Sequence, residues 1–154
     1  MAIEIERKFL VIGDGWRSLG VGTPYRQGYI AAGIGRTVRV RIAGNQAFLT
    51  IKGPTIGRSR SEFEYPIPLD DARQMLHSLC ERPLIEKTRY KIPWEGLTWE
   101  VDEFEGENKG LVMAEVELTH EKQSIRFPEW VGKEVSHDPR YYNSNLMKHP
   151  FTRW

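Results

Sequence analysis

The stretch Met1-Ala-Ile-Glu-Ile-Glu-Arg-Lys-Phe-Leu-Val11 decides how this chain folds. Read with the two-residue period of a β-strand, it sets Glu4, Glu6 and Lys8 on one face and Ile3, Ile5, Phe9 and Val11 on the other. A half-buried strand ordinarily alternates apolar residues with uncharged polar ones; this one alternates them with ionised groups. Carboxylates two residues apart on one face stand ~6–7 Å from each other. At an effective dielectric constant of ~20 they repel by ~2–3 kcal/mol. Open solvent would screen most of that, whereas an enclosed face needs counter-charges from other strands.

The rest of the chain carries them. Period-two patterns mark strands at residues 25–31, 37–42, 46–52, 58–67, 84–93, 97–104 and 111–119. Arg39 and Arg41 repeat the opening pattern with the sign reversed, Lys52 follows in the next strand, and Lys87, Arg89 and Lys91 share another face. Arg58, Arg60, Glu62 and Glu64 fall on one side of a strand, as do Glu100 with Asp102 and Met113 with Glu115 and Glu117. Like signs recur in pairs on separate strands, unlike the random polar mixture of a solvated sheet face. Gly44-Asn45 supplies a hairpin turn, and Gly33 with Gly35 marks another. Asp70 is the expected N-cap of one clear helix, whose apolar stripe is Ala72, Met75, Leu76 and Leu79. Residues 128–135 and 141–149 read as short helical pieces. The sum is an α+β protein of a single domain spanning residues 1–154, with eight mostly antiparallel strands, flanking helices and a C-terminal helical cap.

Composition bounds the function. With 22 Lys and Arg against 21 Asp and Glu, the net charge of +1 gives no bulk case for nucleic acid or membrane binding. The single cysteine, Cys80, excludes an internal disulfide, and no apolar run nears the ~20 residues of a membrane span, so a cytoplasmic protein is expected. His77, His120, His137 and His149 have no ligand spacing for a soft metal, and no phosphate-loop or nucleophile-elbow motif is present.

Eight strands can close around one small ligand. Ionised residues inside would invert the usual arrangement and put the apolar faces outside, where helix and tail cover them only in part; the uncovered remainder would suit a homodimer interface. Hard divalent cations take carboxylate oxygens, and arginine forks and lysines suit phosphoryl oxygens. A chain of phosphates with bound metal satisfies both.

In order along the chain, Glu4-Ile-Glu-Arg-Lys8, Gln27-Gly-Tyr29, Arg39-x-Arg41, Leu49-Thr-Ile-Lys52, Glu62-x-Glu64, Lys87-x-Arg89, Asp102-x-Phe104, Glu115-Val-Glu117 and Lys133-Glu-Val-Ser-x-Asp-x-Arg-Tyr-x-Asn143 resemble the CYTH superfamily, the triphosphate tunnel metalloenzymes. The resemblance implies a closed antiparallel eight-stranded β-tunnel, or barrel, with a charged lumen. It also implies hydrolysis of a small-molecule linear triphosphate with one or two Mg²⁺ or Mn²⁺ ions, inorganic tripolyphosphate being the expected substrate. Thiamine triphosphatase, class IV adenylyl cyclase and a non-catalytic polyphosphate-binding module are the alternatives. Carried over by position, Glu4, Glu6, Glu64, Asp102, Glu115 and Glu117 would serve the metal, and Lys8, Arg39, Arg41, Lys52, Lys87 and Arg89 the phosphates. Lys8, Lys87 and Glu117 would take part in the chemistry, and Tyr29 would form a dyad with Lys87 or Lys8.

Overall fold

The computed structural model describes residues 3–33 and 35–154. The first two residues of the opening stretch and the centre of the turn between Gly33 and Gly35 lie outside that range. The described strands are β1 (Ile3–Val11), β2 (Gly22–Gly33), β3 (Arg36–Ala43), β4 (Gln46–Lys52), β5 (Ser59–Pro66), β6 (Ile85–Trp94), β7 (Leu97–Phe104), β8 (Val112–Glu117) and β9 (Val131–Glu134). Among the described residues two α-helices accompany them, α1 (Leu69–Ser78) and α2 (Asn143–Lys148). The sheet runs β5-β4-β3-β2-β6-β7-β8-β1, and a further β5–β1 pairing joins its ends into a ring of eight strands. Every neighbouring pair in the ring is antiparallel.

Residues 128–135 do not form the helical piece expected of them. Strand β1 is longer than its seam with β5, which spans Ile3 to Ile5. Beyond that seam its edge is vacant, and β9 fills it by pairing Phe9 with Glu134 and Val11 with Val131. Arg7 then clamps the added strand through two hydrogen bonds to Glu134, at 3.0 and 2.6 Å. The cap of α1 also differs from expectation. Pro68 holds the N-cap position with extended backbone, and Asp70 sits in the first turn, pairing with Arg73. There its charge favours the positive end of the helix without capping it. The helix ends at Ser78, so Leu79 falls off the apolar stripe and is 60% exposed.

Three apolar clusters hold the ring. On one outer side Phe9, Trp99, Val101, Ala114 and Val116 pack with Trp16, from the 3₁₀ turn Gly15–Leu19, and with Trp130. On another, α1 lays Ala72 and Leu76 against Val40 and Ala47. The outer face of β4 and β5 beyond this cover leaves Ile51, Phe63 and Tyr65 exposed. The third cluster is the one that positions the site. Tyr29, Ile85, Phe104, Leu111 and Met113 pack against Val135, Tyr141, Leu146 and Met147, so the tail is fixed to the strands that carry the site. Among the described residues no helix is long and apolar enough to cross a membrane.

Gly28 belongs to this framework because of what faces it. A Cβ there would stand 2.7 Å from Cys80 Cβ and 2.7 Å from Leu84 Cδ2. Gly28→Ala is therefore expected to cost about 1–3 kcal/mol through overpacking, read as a lower denaturant midpoint. An unchanged midpoint would mean that the two side chains yield freely.

Candidate active site

A cavity of about 350 Å³ is lined by residues from all eight strands of the ring. The strand period explains its lining: Glu4, Glu6 and Lys8 of β1, Arg39 and Arg41 of β3, Lys87, Arg89 and Lys91 of β6, and Glu115 and Glu117 of β8 occupy alternate positions. Register then decides which charges meet. Glu6 lies opposite Glu117 and Lys8 opposite Glu115. Lys52 lies opposite Glu62, Arg89 opposite Asp102, and Lys91 opposite Glu100.

The carboxylate side is short of positive charge. Lys52 Nζ donates to both oxygens of Glu4, at 2.9 and 3.1 Å, and stands 3.3 Å from Glu62. Burial pushes the Glu4 carboxyl up, but Lys52 more than offsets it and holds the group below its ordinary range. Among the described residues Glu6 has only Lys8 within ion-pair distance, at 3.9 Å, and it keeps about a fifth of its side chain exposed. Burial first, then the charges of Glu115 and Glu4, lift its pKa to about 8. Burial and Glu4 also raise Glu62, and burial, Glu4 and Glu100 raise Glu117. Glu115 is the opposite case. Burial would raise it, yet Lys8 at 3.2 Å and Arg89 at 3.8 Å keep it well below the usual carboxylate range.

The cation side is organised around Asp102. Its Oδ1 accepts from Arg89 Nε at 2.7 Å, and its Oδ2 accepts from Arg89 Nη2 at 2.8 Å and from Lys87 Nζ at 2.7 Å. One carboxylate thus faces two cations, so Lys87 carries the surplus charge. Burial, resisted by Asp102 but aided by Arg89 and Arg41, draws Lys87 down to about 7. Arg41 is drawn down to about 9 by burial and by the charges of Arg39 and Arg89. Arg39 reaches Thr50 at 3.2 Å and Glu64 at 3.5 Å.

Several expectations change on this geometry. Asp102 is 1% exposed, with both oxygens engaged by cations, and it does not line the cavity. Its contacts are with Lys87 and Arg89. Glu64 accepts a 2.7 Å hydrogen bond from Thr50 Oγ1 and faces Arg39. Tyr29 does line the cavity, but among the described residues no hydrogen bond joins it to Lys87 or Lys8; Lys87 is held by Asp102 and by Asn143 Oδ1, at 3.0 Å. Glu62 and Glu100, by contrast, stand in the wall beside the expected acids. Their alternate spacing marks them as inward-facing, and only register shows which charges they meet. Tyr25, Gln27 and Asn143 also contact the cations. An uncharged residue at an inward position carries no such mark in the sequence.

Among the described residues no three His, Cys, Asp or Glu side chains form a ready-made metal cage. The donors are hard carboxylates that raise one another's pKa, which marks a place where a cation would be favoured. Mg²⁺ typically takes one or two carboxylates and completes its shell with water and substrate phosphate, so this donor set fits such an ion without a cage.

The chain matches the CYTH domain over residues 2–142. It is 54% identical over 151 residues to an inorganic triphosphatase of Acetivibrio thermocellus, covering 98% of this chain and 97% of the relative. An inorganic triphosphatase of Nitrosomonas europaea is 39% identical over 150 residues, covering 93% and 95%. The crystal structure of an inorganic triphosphatase aligns with a TM-score of 0.65 at 35% identity, covering 93% of this chain and 96% of the other. On the span of the domain match and the length over which these relatives agree, this chain belongs to the CYTH domain family.

Proposed function

We propose that the ring is a closed tunnel with a charged lumen, in which a linear triphosphate is hydrolysed to pyrophosphate and phosphate with Mg²⁺ or Mn²⁺. Inorganic tripolyphosphate is the substrate of choice. The observation that carries this reading is 54% identity, over nearly the whole chain, to a protein named inorganic triphosphatase. The cavity supports it with chemistry suited to the task.

Arg39, Arg41, Lys52, Lys87 and Arg89 bind the phosphate chain and offset its charge. Glu4 and Glu6 would hold one metal ion, and Glu117 is near enough in register to Glu6 to serve it or a second. Bound there, the ion would polarise a phosphoryl oxygen and make a nearby water more acidic. Glu117 is the better proton acceptor of its pair, because Glu115 is already committed to Lys8 and Arg89. The water oxygen forms a bond to the terminal phosphorus as the bridging P–O bond breaks. The water proton goes to Glu117, and the electron pair leaves on pyrophosphate facing the guanidinium groups. Lys8, flanked by Glu115 and Glu6, completes the wall between the two charge sets.

Phosphate release from tripolyphosphate, ATP and thiamine triphosphate, assayed side by side with Mg²⁺ and with Mn²⁺, tests the reading. Tripolyphosphate should be turned over fastest, and excess EDTA should reduce release to background. Cyclic AMP formed from ATP would move the assignment to a cyclase. Tripolyphosphate binding without turnover under either ion would make the protein a binding module.

A further inference from the structure

Arg41 is a half-buried cation with no carboxylate within ion-pair distance among the described residues. Its Nε donates to Gln27 Oε1 at 2.8 Å, and its guanidinium carbon lies 4.9 Å from the centre of the Tyr25 ring. The guanidinium carbon of Arg89 also stands over that ring, at 5.0 Å. Gln27 is fully buried and donates from Nε2 to Asn143 Oδ1 at 3.1 Å. The same oxygen accepts from Lys87 Nζ at 3.0 Å.

These bonds have only one consistent direction. A guanidinium or ammonium group donates and never accepts. Gln27 must therefore show its oxygen to Arg41, which leaves its NH₂ for Asn143. Asn143 must in turn show its oxygen to both Gln27 and Lys87. Reversing either amide would set donor against donor in a buried place.

We propose that Gln27 and Asn143 are positioning residues, a directed amide relay that fixes Arg41 and Lys87 relative to each other for binding one substrate phosphate. The relay rests on the triphosphatase reading for its purpose, though not for its existence. An amide serves where a carboxylate would not: Glu at 27 would hold Arg41 equally well but would offset the charge that draws phosphate. Asn143 is the first residue of α2, so the C-terminal segment reaches the binding cations directly as well as packing on the strands.

The test uses the full chain with Gln27→Met, Asn143→Ala, the double variant and Gln27→Glu. In Gln27→Met and Asn143→Ala, KM for tripolyphosphate should rise about tenfold with kcat within about threefold of the native chain. The double variant should be less than additive, because both residues act through one chain of bonds. The Arg41 Nε–H, followed by ¹⁵N NMR, should exchange slowly in the native protein and in Gln27→Glu but rapidly in Gln27→Met. Gln27→Glu should nonetheless keep the raised KM. An unchanged KM in the single variants, or a fall in kcat at constant KM, would overturn the proposal. So would rapid exchange of the native Arg41 Nε–H. If the native chain failed to turn over tripolyphosphate, the functional reading would fall while the exchange measurement still decided the relay. Asn143→Ala, at a helix end, gives the decision should Gln27→Met not fold.

Discussion

Glu4→Gln is expected to lower tripolyphosphate turnover by about 10²–10³-fold, the rate equivalent of the several kcal/mol that a metal ion supplies to such a transition state. The protein should remain folded. Glutamine preserves the shape of the side chain and one acceptor oxygen for Lys52, which also keeps Glu62 at 3.3 Å. The charge removed comes from the wall where carboxylates repel, since Glu4 helps to raise Glu6, Glu62 and Glu117. Loss of that charge therefore relaxes the metal-free protein while weakening its hold on a divalent ion. Initial rates at increasing Mg²⁺, with a thermal melt of the same sample, separate the two effects. The expected pair is a large rate deficit, eased only at high Mg²⁺, and a melt no lower than that of the native chain. Native rates at native Mg²⁺ demand would remove Glu4 from the metal site.

How much of this was legible in the sequence depends on what each feature needs. Which side chains share a face follows from period two, so Glu4, Glu6 and Lys8, or Lys87, Arg89 and Lys91, can be grouped without coordinates. Which charges meet does not follow, because that is set by register between strands distant in sequence. Asp102 and Glu115 look alike as inward acids, yet Asp102 neutralises Arg89 and Lys87 while Glu115 lines the cavity beside Lys8. The metal role expected of Asp102 turns on that distinction, since both its oxygens already meet cations. Strand β9 was illegible for a related reason. Its four residues have too short a pattern to declare themselves, and they pair because β5 leaves the edge of β1 vacant. Gln27 and Asn143 gave no signal beyond their presence in matched motifs, since an amide gains its meaning from the donors around it. A C-terminal cap was expected of the tail, but not which residues it buries: Tyr141, Leu146 and Met147 join one cluster with Tyr29 and Met113 only in the fold.

Asp102→Asn is expected to destabilise the protein by about 3–5 kcal/mol, the cost of leaving a buried ion group without its counter-charge. For a chain of this size that is a fall of about 10 °C in melting temperature. The native carboxylate remains ionised because Arg89 and Lys87 outweigh the effect of burial. With an amide in its place Arg89 still faces Glu100 at 3.3 Å and Glu115 at 3.8 Å, but among the described residues Lys87 is left with uncharged amide oxygens, such as Asn143 Oδ1, and no carboxylate. Lys87 is therefore the stranded charge, and the pH dependence should show it. In the native protein its pKa of about 7 lies below its ordinary 10.5, so between those values the unfolded chain binds the extra proton and stability from this group rises with pH. Without Asp102 the folded-state pKa falls further and the window opens at lower pH, so the variant's deficit should narrow as pH is raised and Lys87 becomes neutral. Inorganic phosphate or tripolyphosphate should raise the variant's melt, by supplying the missing negative charge to the same cations. Adding Lys87→Met should recover part of the loss, since it removes the stranded charge itself. A variant that melts with the native protein from pH 6 to 9 would mean that Asp102 is not the counter-charge on which this end of the cavity is built.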